Sequence, residues 1–106
     1  MGPSKTYRVC GYQQITSLST AQALTIPLRD PDGTSCKPNA VILQATGQNV
    51  RWRADGTAPT ATVGMLIVST AEQPLYIDAA IDRLRFIETA ASAVLNITYL
   101  EDVSQI

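Results

Sequence analysis

Arg83-Leu84-Arg85-Phe86-Ile87-Glu88 and Ala93-Val94-Leu95-Asn96-Ile97-Thr98-Tyr99 decide the fold of this chain. In the first stretch Leu84 and Phe86 fall on one side, Arg83 and Arg85 on the other. In the second, Ala93, Leu95, Ile97 and Tyr99 share a side, with Ser92, Asn96 and Thr98 opposite. Alternation with period two marks a half-buried β-strand, because successive side chains leave a pleated backbone on opposite faces. Val50-Arg51-Trp52-Arg53 repeats the pattern, with Val50 and Trp52 facing in and Arg51 and Arg53 facing out.

Working outward, Ala40-Val41-Ile42-Leu43-Gln44-Ala45 is apolar on both faces and reads as a central strand. Met65-Leu66-Ile67-Val68 and Leu75-Tyr76-Ile77 read as short strands. Lys5 to Cys10 reads as a first strand, interrupted at Gly11 by a bulge. Leu24-Thr25-Ile26 reads as a further short strand ended by Pro27. Between them lie turns: Arg29 to Thr34, with Asp30 capping amides and Gly33 at positive φ, Gly47 to Asn49, Asp55-Gly56-Thr57, and Glu72 to Pro74. Seven or eight short strands spaced by turns predict an all-β fold, an antiparallel β-sandwich of jelly-roll or Ig-like type. The rival is an α+β domain with a helix at Ser17–Leu24 or Ala79–Leu84, and Ser and Thr disfavour the first of these.

The 106 residues are expected to form a single domain, with residues 1–5 a flexible arm. Only 16% of the residues are charged, against about 25% in an average domain. A surface rich in uncharged polar groups suits a protein packed among neighbours. The net charge of −1 gives no long-range attraction to nucleic acid or acidic membranes. No apolar run reaches the length of a membrane span, and the N-terminus has no signal-peptide core, so cytosolic synthesis is expected. In that compartment Cys10 and Cys36 are expected to be free thiols, with a disulfide formed later outside the cell as the alternative.

The chain contains no His, which removes the commonest general base and every His-dependent triad. No serine sits in a nucleophile elbow, and no glycine-rich loop is built to cradle phosphate. Two cysteines alone cannot complete a zinc tetrahedron, and Asp30-Pro31-Asp32-Gly33 lacks the remaining ligands of a calcium loop. No enzyme, cofactor or metal is expected. Asn96-Ile97-Thr98 matches a glycosylation sequon but reads as ordinary strand alternation. The candidate interface is the set Arg51, Arg53, Arg83 and Arg85, which becomes one basic stripe if its strands are neighbours. Such a stripe could dock an acidic protein surface. It could also dock a phosphate backbone, but the reading preferred from the residues is a solvated face neutralised by Asp55, Asp82 and Glu88. Trp52, on the opposite side of its strand, reads as core.

The run Val50-Arg51-Trp52-Arg53-Ala54-Asp55-Gly56-Thr57-Ala58-Pro59-Thr60, then Val63-Gly64-Met65, Leu84-Arg85-Phe86-Ile87 and Ala93 to Tyr99, resembles a group of small tailed-bacteriophage virion proteins. The shared pieces are an Arg-aromatic-Arg strand, an Asp-Gly-Thr-x-Pro-Thr turn, a Val-Gly step, an Arg-Phe-Ile strand and a closing Leu-Asn-x-Thr-Tyr strand. They cover about the second half of the chain. The resemblance implies a non-enzymatic virion component made in the bacterial host's cytoplasm. The first expectation is a capsid decoration (cement) protein, trimeric on a local three-fold, partnered by the major capsid protein or another virion protein and by neither nucleic acid nor membrane. A neck, tail or fibre-associated component is the second. The third is a small host-surface or carbohydrate-binding module, in which Trp52 or Tyr12, Tyr76 and Tyr99 line an exposed platform.

Overall fold

The computed structural model describes residues 6–78 and 80–103. The expected N-terminal arm, Lys5 of the first strand and Ala79 of the rival helix lie outside the described residues. Eight strands follow in order: β1 (Tyr7–Ile15), β2 (Gln22–Ala23), β3 (Ala40–Thr46), β4 (Val50–Arg53), β5 (Met65–Ile67), β6 (Leu75–Ile77), β7 (Arg85–Glu88) and β8 (Val94–Asp102). One 3-10 turn, Ile81–Arg83, precedes β7. Among the described residues it is all that forms of the rival helix at this point, and Ser17 to Leu24 is turn and strand.

The strands make two four-stranded antiparallel sheets, β1-β8-β3-β6 and β2-β7-β4-β5. β1 pairs with β8, β2 with β7, β3 with β6 and β4 with β5. That is the pairing of one long hairpin with its tip at β4–β5. Rolling the hairpin up brings β3 beside β8 and β4 beside β7. The β-sandwich is therefore a jelly roll, the first of the two expected types.

Alternation places the core. Leu95, Ile97 and Tyr99 of β8 face Phe86 of β7 and Val50 of β4 across the interior, and all are buried. Leu18, between β1 and β2, is also fully buried and plugs the same core. Its carbonyl accepts the Glu88 amide at 2.9 Å, which fastens the connection between the sheets to β7.

Three expectations need correction. The bulge expected at Gly11 is there, but the first strand does not end at Cys10. Its pairing slips between Val9 and Gly11, so the chain crosses a bulge there and continues to Ile15. The short strand expected at Leu24–Ile26 forms at Gln22–Ala23 instead, where Gln22 pairs with Phe86 and Ala23 with Arg85. Cys10 and Cys36 are not free thiols but a disulfide, with Cα atoms 6.0 Å apart. The bulge turns Cys10 into the core, and the Cys36 amide donates to Leu28 O at 2.9 Å, which folds the 28–36 loop back onto it. Arg8 ties that loop to the sheet as well, reaching Glu101 at 2.8 Å and Ser35 O at 2.7 Å.

Candidate functional site

β4 and β7 are neighbours, with Arg53 directly opposite Arg85 and Arg51 opposite Ile87. Arg51, Arg53 and Arg85 therefore share the outer face of the β2-β7-β4-β5 sheet. Like charges directly opposite repel, and local partners offset this. Arg53 forms a two-pronged ion pair with Asp55, at 3.1 and 2.5 Å. Arg85 turns away to the carbonyls of Asp82 and Leu84, at 3.1 and 2.8 Å. Arg51 donates to Gly64 O at 3.0 Å and Ala61 O at 3.4 Å, clamping the loop before β5. Arg83 sits in the 3-10 turn, off the strand row, with its guanidinium over the Asp55–Gly56 turn.

The Asp55 turn is self-contained. The Arg53 guanidinium, followed by the Thr57 amide, holds the Asp55 carboxyl below its ordinary range. Gly56 takes a φ of +84°. Thr60 and Val63 exchange both backbone hydrogen bonds, at 3.0 and 3.2 Å, and Pro59 is buried beneath them. Gly64 is tightly enclosed, since a Cβ would lie 3.1 Å from both Trp52 O and Pro59 Cβ, and its φ of +134° would strain any side chain. The turn is thus a closely bonded bracket that fixes where β5 begins.

β5 is one of the two edge strands of this sheet, opposite the two-residue β2. It was expected to be apolar, and it is, but Met65 is 61% and Leu66 41% exposed. Val63 and Val68 flank them, also exposed. Leu66 pairs with Arg51, so its side chain stands on the outer face beside the arginine row. A cleft between β5 and β6, lined by Leu66, Val68, Pro74 and Leu75 among others, continues this apolar edge toward the seam of the two sheets. Sequence reading missed this surface because a three-residue strand is too short to show which of its faces is wet.

The aromatics divide. Tyr99 is buried and Trp52 is half-buried against the core, as expected for Trp52. Tyr12 and Tyr76 are exposed, on the outer face of the other sheet. The Tyr7 hydroxyl meets that of Tyr76, with the rings edge-on at 5.7 Å between centroids. Partial desolvation by its neighbours first, then the bond to Tyr7, pushes the Tyr76 phenol up, and its exposure mutes the effect. Burial likewise pushes Tyr99 up to about 12.

Among the described residues, the one group of metal-capable side chains that converges is Cys10, Cys36 and Glu101. Its two sulfurs are bonded to each other and offer no thiolate. The described residues therefore form a small jelly roll with an arginine-bearing outer face that runs into an exposed apolar strand edge, and with exposed tyrosines on the outer face of the other sheet. No protein-family model, curated protein or solved structure matches the chain.

Proposed function

We propose that this chain is a structural protein of a tailed-bacteriophage virion, a capsid decoration protein that docks on the shell through the β5 edge and the adjoining arginine face. The observation that carries the reading is the β5 edge itself. An unpaired strand edge with exposed Met65, Leu66 and Val68 is a liability that proteins normally cover. Arg51, Arg53 and Arg85 beside it would orient the dock toward an acidic subunit surface. The Cys10–Cys36 disulfide fits an end location outside the reducing cytosol, virion surfaces included. The jelly roll recurs in viral shells, an analogy of fold that assigns no function alone.

On this reading the protein stabilises the shell by mass action, because it binds the assembled lattice and not the dispersed subunits. A symmetric lattice point favours a symmetric binder, hence a trimer on a local three-fold. Quantitative mass spectrometry of purified particles against the major capsid protein tests the reading. On the order of hundreds of copies per particle is the expected result. Roughly a dozen or fewer would move the protein to the neck or tail, and none would overturn the virion assignment. Leu66→Asp should weaken shell binding at least about tenfold while leaving the melting temperature near wild type, since Leu66 is outside the core.

A further inference from the structure

The outer face of the β1-β8-β3-β6 sheet plays no part in the proposed dock, and it is built differently. Register places Tyr12 opposite Thr98, Thr98 opposite Ile42 and Ile42 opposite Tyr76. These four residues form one row across all four strands. With neighbouring strands about 4.8 Å apart, the row spans roughly 14 Å from one tyrosine to the other. A second row runs beside it: Gln14 opposite Asn96, and Asn96 opposite Gln44. Tyr12, Ile42, Gln44, Pro74, Asn96 and Thr98 line a groove of about 380 Å³ over these rows.

Three properties of the groove select an occupant. It contains no charged side chain, unlike the arginine face of the opposite sheet. Its floor is rich in carboxamides and hydroxyls that are only partly used. Asn96 Oδ1 accepts the Tyr12 hydroxyl at 2.5 Å and the Gln14 amide at 3.1 Å. The Asn96 amide nitrogen, the Gln44 carboxamide and the Thr98 hydroxyl bond nothing among the described residues, so they can meet donors and acceptors of a ligand. Third, Tyr12 is 63% exposed while its hydroxyl is tethered, which holds its ring in place over a polar floor. Tyr76 ends the row beyond the groove itself, with its hydroxyl meeting that of Tyr7 and the two rings edge-on.

We propose that this face is a binding site for a neutral oligosaccharide. A pyranose ring presents a face of C–H groups and a rim of hydroxyls. The first stacks on an aromatic ring, and the second pairs with carboxamides, which donate and accept at once. The span between Tyr12 and Tyr76 holds roughly two or three such rings at strand spacing. Single-stranded nucleic acid would also stack on tyrosines, but it needs a basic track, and no Lys or Arg lines the groove. An apolar peptide would strand the unbonded amides of Asn96 and Gln44 without partners.

Titration of the whole protein, followed by NMR, with a panel of neutral oligosaccharides of three to six residues tests this. The panel comprises glucans, galactans, mannans and N-acetylglucosamine oligomers, with uronic-acid oligomers as charged controls. At least one neutral member should bind with a Kd between micromolar and low millimolar and shift the amides of β1, β3 and β8. Tyr12→Ala should weaken that binding at least about tenfold. Tyr12→Phe, which keeps the ring, should weaken it less, and Gln44→Ala should weaken it without touching the ring. Both sites are exposed, so folding is checked by unchanged melting. No neutral binder at millimolar concentration, binding to charged members alone, or binding indifferent to Tyr12→Ala and Gln44→Ala would each overturn the proposal. Arg53→Glu, on the opposite sheet, should leave sugar binding unchanged. Failure here leaves the particle copy number, and with it the shell reading, standing.

Discussion

Tyr99 shows how much one residue can report. Its ring is 1% exposed, it pairs with Val41 and Gly11 in the middle of its sheet, and its hydroxyl donates to Gln13 Oε1. A buried phenol has no water to solvate a phenolate, which is why its pKa rises from 10.0 to about 12. The unfolded chain ionises first, so the sign of the pH dependence follows. The stabilisation is complete below pH 10 and is lost between pH 10 and about 12, at roughly 1.4 kcal/mol per pH unit. Tyr76 shifts in the same direction, but it is well exposed and solvent mutes its share. Chemical denaturation at pH 9 and pH 11 should show the loss, and Tyr99→Phe should abolish most of it. That Tyr99 points inward was legible from alternation alone. That its hydroxyl finds Gln13 was not, because Gln13 is brought beside it only by pairing between strands more than eighty residues apart in the chain.

At the scale of elements, the corner between β3 and β4 carries the chain from one sheet to the other. Gly47 takes a φ of +82°, and a Cβ there would lie 2.8 Å from Ser92 O, in the corner between β7 and β8. Asn49 fastens the same place. Its carbonyl accepts both the amide and the hydroxyl of Thr89, and its side chain accepts the Ser69 amide at 2.8 Å. Gly33 has a similar φ of +86° but open space around it. The pair separates backbone strain from crowding. Gly33→Ala should cost about 1 kcal/mol, and Gly47→Ala about 2–3 kcal/mol, because a backbone oxygen must also move. Urea titrations of both variants check the difference.

The elements also show where sequence reading holds and where it stops. Long strands with one wet face, β8 above all, were legible because alternation over many residues is unambiguous. β2 has two residues and β5 three, too few for a period. β5 was recognised as apolar, but apolarity alone does not distinguish a core strand from an exposed edge. Of the four arginines expected to share a face if β4 and β7 were neighbours, Arg51, Arg53 and Arg85 do, while Arg83 falls in the 3-10 turn and leaves the row. Their commitments to Asp55 and to backbone carbonyls depend on loop geometry that no spacing in the sequence encodes.

The whole molecule is a rolled hairpin, and its first and last strands pair with each other. Such a topology closes only when distant segments meet, so most of its contacts come late and ordering the intervening loops is costly. The longest connection without a named element, residues 24–39, joins β2 of one sheet to β3 of the other. The Cys10–Cys36 disulfide staples this connection to β1, at a sequence separation of 26. Loop-closure entropy for that length gives about 3.5 kcal/mol at 25 °C. A domain of this size loses roughly 4–8 °C of melting temperature per kcal/mol. The double variant Cys10→Ser/Cys36→Ser should therefore melt on the order of 15–25 °C lower than the oxidised protein. Both sulfurs belong to residues that are 1% exposed, so a mild reductant should not reach them in the folded state. Differential scanning calorimetry of the wild type should thus give nearly the same first melting curve with and without a brief pulse of dithiothreitol. After unfolding in reductant, the second curve should fall to that of the double variant. A prompt drop on the first scan would mean that the 28–36 loop opens readily and that the staple guards an exposed seam rather than a closed core.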